Sequence, residues 1–413
     1  MRAKGLIIIT TLFLLLVMSC KKTTEPESRE NPYKPLELST KSAEFVEKGS
    51  AFTFDYIQRI GASTQENFIV SPLSMQFLLG MLLDGAQGKT ADEISSVLGF
   101  GAGEVEAVNE YARSVLGQLP ELDQESELVF ANALFADRSY SVQDQFRKTV
   151  EQYYQAGVLN VDFGSKEAAL DAVNGWCNQK TRGLIPRLLE DSNTNIMALL
   201  LNAIYFKSRW TDAFPKASTA EKTFTDETGG VSKVKMMSRN GNYGYLSGEV
   251  FEAVQIPYGN GVFSMTVFLP QGKNTLADVM TTLKKADWIQ IRGQFVPCTL
   301  DLWLPKFEAR FKISLNDILS AMGMPSAFDS IKADFSALSK DRGYLSEVQQ
   351  CAVIKVDEDG SEAAAVSSAR IEKSASLGVG SPIVFHADRP FLYLISEASS
   401  GAVLFAGRYG KKL

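Results

Sequence analysis

Histidine is almost missing from this chain: its 413 residues include one, His386. A Ser–His–Asp or Cys–His catalytic site would have to be built on that residue, and a zinc site of imidazoles would lack partners. Its neighbours Phe385 and Ala387 mark it as an ordinary strand-end residue. Cysteine is scarce too. After Cys20 only Cys177, Cys298 and Cys351 remain, three scattered residues that make no disulfide framework and leave at least one free thiol. They are expected in the core. No G-x-S-x-G elbow occurs. Ser232-Lys233-Val234-Lys235 matches S-x-x-K, but no K-T-G accompanies it, and in an extended stretch Ser232 and Lys235 point to opposite faces. Asp357-Glu358-Asp359-Gly360 suggests calcium, yet an EF-hand loop counted from Asp357 has Glu362 where it needs glycine. There is no phosphate-binding glycine loop. The chain therefore reads as a non-enzyme without metal or cofactor.

Two further absences concern organisation. No Gly/Ser-rich or Pro-rich linker interrupts the chain after about residue 41, so residues 42–413 read as one large domain. There is no excess of basic charge: 42 Lys and Arg face 48 Asp and Glu, for a net charge of −6. That balance argues against nucleic acid as a partner. With 45% apolar and 22% charged residues the composition is that of ordinary globular protein.

What is present begins at the N-terminus. Arg2 and Lys4 precede a run of mostly Leu, Ile, Val and Phe over Leu6–Met18, too short to span a bilayer comfortably, followed by small Ser19. Residues 1–19 read as a signal peptide. Val17-Met18-Ser19-Cys20 resembles the lipobox of bacterial lipoproteins, which implies cleavage before Cys20, lipid on that residue, export, and anchoring to a bacterial membrane on its periplasmic or outer surface. Cleavage would remove two cations and leave 40 − 48 = −8. Residues 20–41 are polar and broken by Pro26, Pro32 and Pro35, and are expected to form a tether.

Helical signals dominate the first half. Phe45, Phe52, Tyr56 and Ile60 recur at helical spacing, with Gly61 as the stop. Ser71-Pro72 places a cap before a proline at the first helical position, and Thr90 with Glu93 spells a capping box. Strand signals follow: Phe263–Leu269, the alternating Leu300, Leu302 and Leu304, and Phe385–Arg408 with a turn at Ser399-Ser400-Gly401. Ser314 is expected to cap a helix reaching Met322. Helices first and strands later suggest α+β architecture.

The segment Gly360–Lys373 is unusual. Ser361, Ala363, Ala365, Ser367, Ala369 and Ile371 form one small or apolar alternate set, while Glu362, Arg370 and Glu372 fall in the other. Such alternation suits a strand, the alanines and glutamates suit a helix, and a plain loop fits as well. The surrounding motifs carry more information. Asn67-Phe68-Ile69-Val70-Ser71-Pro72-Leu73-Ser74, Asn174-Gly175-Trp176 with Thr181-Arg182-Gly183, and Asn202 to Lys207 with Trp210, Phe214, Thr219 and Phe224 occur in order. Val234 to Met237, Ile256-Pro257-Tyr258, Phe268-Leu269-Pro270, Val356 to Ala365, and Ala387-Asp388-Arg389-Pro390-Phe391 complete the series. Together they resemble the serpin family over essentially the whole of residues 42–410.

That resemblance implies a single α+β domain of three β-sheets, surrounding helices and an exposed reactive loop over about 358–381. It implies a monomeric inhibitor that traps an extracytoplasmic serine protease, or a cysteine protease, as an acyl-enzyme while the cut loop inserts into the central sheet; strand insertion of this kind is a general recognition mode. The hinge would comprise Glu358, Asp359, Gly360, Ser361, Glu362, Ala363, Ala364 and Ala365. Ser71, Ser74, Asn202 and Gln350 would lie where the central strands part, and Gln350 replaces the histidine usual in the family. Trp210 would sit at the top opening, and Lys306 would pair with Glu358 at the base of the loop. The usual hinge length puts the cut between Ser374 and Ala375; Lys373 one residue earlier suits a trypsin-like pocket, and Ser374 an elastase-like one. The interval from Gly360 to Phe391 is a few residues longer than in many relatives, which leaves Arg370 and Leu377 as further candidates. The competing reading is a non-inhibitory serpin serving as a surface-binding or carrier lipoprotein.

Overall fold

The computed structural model describes residues 31–101, 103–183, 186–189, 196–361 and 381–411. Cys20, the signal segment, and the loop residues Glu362, Ala363, Ala364, Ala365, Arg370, Lys373, Ser374, Ala375 and Leu377 lie outside these.

The helices are α1 (Thr40–Ser63), α2 (Pro72–Gly85), α3 (Gly88–Leu98), α4 (Val105–Gln118), α5 (Asp144–Tyr154), α6 (Lys166–Lys180), α7 (Leu276–Lys285), α8 (Trp288–Arg292) and α9 (Asn316–Met322). The expected cap of α2 is present: Ser71 Oγ accepts from Ser74 N at 3.2 Å, with Pro72 at the first helical position. Other local readings were overridden by packing. Gly61 does not stop α1; it lies inside the helix, where a Cβ would come within 2.7 Å of Met280 Sδ. The Thr90–Glu93 box does not form, because α3 starts at Gly88 and Glu93 instead accepts from Ser326 N and Oγ. Ser314 ends a strand, and α9 follows Leu315 without a side-chain cap.

Residues 32–39, assigned to the tether by composition, belong to the body. Leu36 is buried and its N–H donates to Ser399 Oγ, while Glu37 N donates to Gln118 Oε1 at 2.9 Å. Pro32 and Pro35 lack N–H groups, so an extended path over the surface leaves no donor unsatisfied there. The compact unit starts at Pro32.

One sheet of six strands runs β10 (Phe307–Ser314), β11 (Glu347–Val356), β12 (Gly360–Ser361), β4 (Ala198–Arg209), β2 (Glu127–Asp137) and β3 (Gly157–Val161). The other is a nine-stranded ladder: β1 (Phe68–Val70), β15 (Val403–Tyr409), β14 (Phe391–Glu397), β8 (Phe263–Pro270), β7 (Phe251–Tyr258), β6 (Val231–Ser247), β9 (Val296–Pro305) and β13 (Ile383–His386), with β5 (Ala220–Thr225) also on β6. Long β6 pairs with β5 at its start and β7 at its end. The second and third sheets implied by the resemblance are therefore continuous through it.

Strand alternation divides the six-stranded sheet between two cores. Leu199, Leu201, Ala203, Ala133, Phe135 and Cys351 face α6, where Cys177 and Trp176 pack on them. Leu200, Ile204, Phe206, Leu134 and Val348 face the main core with α1 and α2. Cys177 and Cys351 are buried as expected, and burial pushes their thiols up to about 12 and about 11, which keeps them protonated. Cys298 is only half-buried.

Candidate functional site

Strands β4 and β11 lie parallel, paired from Leu199↔Glu347 to Ile204↔Ala352. There the pairing stops. Further along, Ser361 of β12 sits between the two, antiparallel to both, opposite Val356 and Ser208. The strands thus form a fork, closed below and holding Gly360 and Ser361 in its mouth.

Several contacts seat this segment. Ser361 is fully buried, and its Oγ lies 2.6 Å from Tyr258 Oη. Tyr258 stacks on Trp210 with centroids 4.3 Å apart. Trp210 donates from Nε1 to Asp357 O at 2.9 Å and from its backbone N to Asp359 O at 3.0 Å. Gly360 has φ +152°, and a Cβ there would fall 2.1 Å from Ser208 O, so no other residue fits this approach. Glu358 is buried and pairs with Lys306, and it accepts from Thr219 Oγ1 at 2.7 Å. Burial alone would push its carboxyl up, but the bonds from Lys306 and Thr219 outweigh that and hold it below its ordinary value. Asp359 pairs with Lys216 at 2.8 Å. Trp210, Lys306, Glu358, Asp359, Gly360 and Ser361 therefore meet at one opening.

A second group lies lower, on the closed part of the fork. Asn132, Asn202 and Gln350 stand side by side on β2, β4 and β11, all on the main-core face. Gln350 Nε2 donates to Asn202 Oδ1 at 2.7 Å and to Ser71 O at 3.0 Å, and its Oε1 accepts from Ser71 N at 2.9 Å and Tyr56 Oη at 3.1 Å. Asn202 Nδ2 donates to Asn132 Oδ1 at 2.8 Å and to Ser74 Oγ. Ser71 Oγ donates to Leu404 O at 2.6 Å. Gln350 thus uses both amide protons and its carbonyl oxygen, and its own side chain does not titrate. The Gln350–Asn202 bond crosses the seam between β4 and β11, so parting the strands must break it.

Asn132, Tyr56 and Tyr258 were not singled out from sequence as members of these groups. A signal existed for Asn132: it interrupts an apolar strand (Val129-Phe130-Ala131-Asn132-Ala133-Leu134) much as Asn202 does in Leu200-Leu201-Asn202-Ala203-Ile204. A polar residue on the inward face of a buried strand needs a partner.

The serpin family model, described as serine protease inhibitor, matches residues 47–411. The chain is a serpin. It is 30% identical over 377 residues to Serpin B6 of Macaca fascicularis, covering 88% of this chain and 98% of that one. It is 30% identical over 366 residues to glia-derived nexin of Rattus norvegicus, covering 86% and 90%. Among solved structures, the native state of the thermophilic serpin tengpin superposes with a TM-score of 0.82 at 27% identity, covering 92% of this chain and 97% of that one. Thyroxine-binding globulin in complex with thyroxine superposes with a TM-score of 0.79, also at 27% identity, over 89% and 99%.

His386 ends β13, stacked on Trp303 at 3.7 Å and 3.1 Å from Asp301 Oδ2, and no described serine or cysteine bonds to it. Ser232 and Lys235 lie on extended β6, three residues apart and so on opposite faces.

Proposed function

We propose that this serpin inhibits serine proteases outside the cytoplasm by offering the loop that runs from Gly360 toward Ser381 as bait and trapping the acyl-enzyme as the cut loop enters the fork between β4 and β11. The observation that carries this reading is the seated hinge: Gly360 and Ser361 already occupy the first positions of the new strand. Small Ala363, Ala364 and Ala365 follow on and allow passage between the two strands. About 14 residues at strand rise cover roughly 46 Å, enough to carry an attached protease along the body. Ser374–Ala375 is the proposed scissile bond, with Lys373–Ser374 an equal candidate and Arg370 and Leu377 behind them. Trypsin-like and elastase-like enzymes are the favoured targets, and papain-like cysteine proteases are further ones. Lipid on Cys20 would hold the inhibitor at a bacterial membrane.

The purified serpin, incubated with a trypsin and an elastase, should give a covalent 1:1 complex that survives a denaturing gel. Cleavage alone, with no such complex for any protease class, defeats the proposal. It would then favour a carrier role, the reading that the likeness to thyroxine-binding globulin keeps in play.

A further inference from the structure

A cavity of about 580 Å³ opens beside the hinge, between the start of β6, β5, β10 and the end of β15. Its volume falls within the range of small-molecule sites. Its floor is apolar: Val234, Phe307 and Tyr409 are all buried, and the rings of Phe307 and Tyr409 lie 5.2 Å apart. Its rim is basic, with Lys233, Lys235, Lys306 and Arg310 facing two carboxylates, Glu221 and Glu308. With Glu358, the partner of Lys306, counted, four cations face three anions, a local excess of one positive charge on a chain whose net charge is −6.

Two of the four cations are held by carboxylates, Arg310 by Glu308 and Lys306 by Glu358. Glu308 is engaged by Arg310 Nε at 2.5 Å. Lys233 Nζ bonds to neutral Thr223 Oγ1 at 3.0 Å, and among the described residues no carboxylate pairs with Lys233 or Lys235. Lys306 connects the cavity to the hinge: its backbone N donates to Lys235 O at 2.8 Å, and its ammonium pairs with buried Glu358.

We propose that this cavity binds a small organic anion, its flat apolar body on Phe307 and Tyr409 and its acidic groups on Lys233, Lys235 and Lys306. Bound there, the anion competes with Glu358 for the Lys306 ammonium. Glu358 is then left buried with one hydroxyl partner, and the 357–361 turn loosens. Binding and hinge state are thereby linked, and linkage is reciprocal: whatever frees Lys306 from Glu358 strengthens anion binding. The binding half stands on the cavity alone; the consequence for inhibition rests on the insertion reading above. Because the rim is largely exposed, affinity should fall with salt.

The probe is 8-anilinonaphthalene-1-sulfonate, titrated by fluorescence into the full chain without protease, beside the uncharged N-phenyl-1-naphthylamine. One sulfonate should bind per chain, and the neutral analogue should bind at least about tenfold more weakly, a difference of about 1.4 kcal/mol. In a Lys233→Gln/Lys235→Gln variant that melts like the parent, the sulfonate should lose about tenfold in affinity. Equal binding of the two probes, equal binding to parent and variant, or no binding to the parent overturns the site. Glu358→Gln, which releases Lys306, should tighten sulfonate binding about threefold or more. An unchanged affinity there overturns the link to the hinge. Since no protease is present, failure here leaves the gel assay for covalent complex untouched, and the reverse also holds.

Discussion

Asp84, in the last turn of α2, is a carboxylate in an unfavourable place. Asn109 Nδ2 donates to Oδ1 at 2.8 Å and Tyr154 Oη supports Asn109 in turn, but Oδ2 is buried without a partner among the described residues. A helix C-terminus adds an unfavourable dipole. Burial pushes the Asp84 carboxyl up to about 6, against the bond from Asn109. A carboxyl whose folded pKa is raised binds its proton more tightly in the folded chain than in the unfolded one. Its contribution is therefore fully present below about pH 4 and is lost as pH rises through about 6. The loss is at most about 3 kcal/mol. Asp84→Asn keeps the shape and removes the charge, so it should raise the thermal midpoint at pH 7.5 by about 2–4 °C. Below about pH 4 the two proteins should melt alike, because the parent is then neutral too. Parallel melting curves of parent and variant across pH 4–8 would show that Asp84 is not the titrating group.

At the scale of elements, the decisive feature is the change of sheet type that the proposed insertion would bring. The closed part of the fork is a parallel pairing of β4 with β11, and β12 is antiparallel to both. Extending β12 downward replaces one parallel ladder by two antiparallel ones, adds main-chain hydrogen bonds and buries small side chains, at the expense of the Gln350–Asn202 bond. Cleavage within the bait should therefore raise the melting temperature of the parent sharply. Ser361→Arg tests the route. Position 361 is fully buried against Tyr258, so an arginine there costs several kcal/mol by desolvation with steric strain added. The hinge should leave the fork while the bait stays accessible. The variant should be cut at the parent's rate but yield little stable complex, and cleavage should raise its melting temperature less. Retention of the parent's complex yield would mean that trapping does not proceed through this hinge.

For the whole molecule, the question is where the body stands. With the compact unit beginning at Pro32, only residues 21–31 separate it from the proposed lipid on Cys20. About 11 residues reach roughly 36–40 Å at full extension, little more than half of what a tether to residue 41 would allow. Inhibition would thus be confined to proteases close to the membrane. In a bacterial host, Cys20→Ser should abolish lipid labelling and move the serpin from the membrane fraction to the soluble one. Unchanged membrane association of the variant would remove the anchor from the proposal.

The sequence by itself determined the family, the α+β class and the cap at Ser71, and it drew attention to Glu358–Ser361, because these rest on local spacing and on motifs read along the chain; it did not give the interleaving of helices and strands. Tertiary structure alone decided which residues complete the site. Tyr56 reaches Gln350 across 294 positions, Asn202 reaches Asn132 across 70, and Tyr258 reaches Ser361 across 103. Periodicity reports which face a residue takes but not what lies opposite. The same limit misplaced the local signals at Gly61, Thr90 and Ser314, where contacts with Met280, Asp334 and Gln349 outweighed propensity. It also hid the seated hinge: whether Gly360–Ser361 forms strand, helix or loop is undecided by its own side chains. It becomes a strand because β4 and β11 diverge there and leave their facing N–H and C=O groups to be paired.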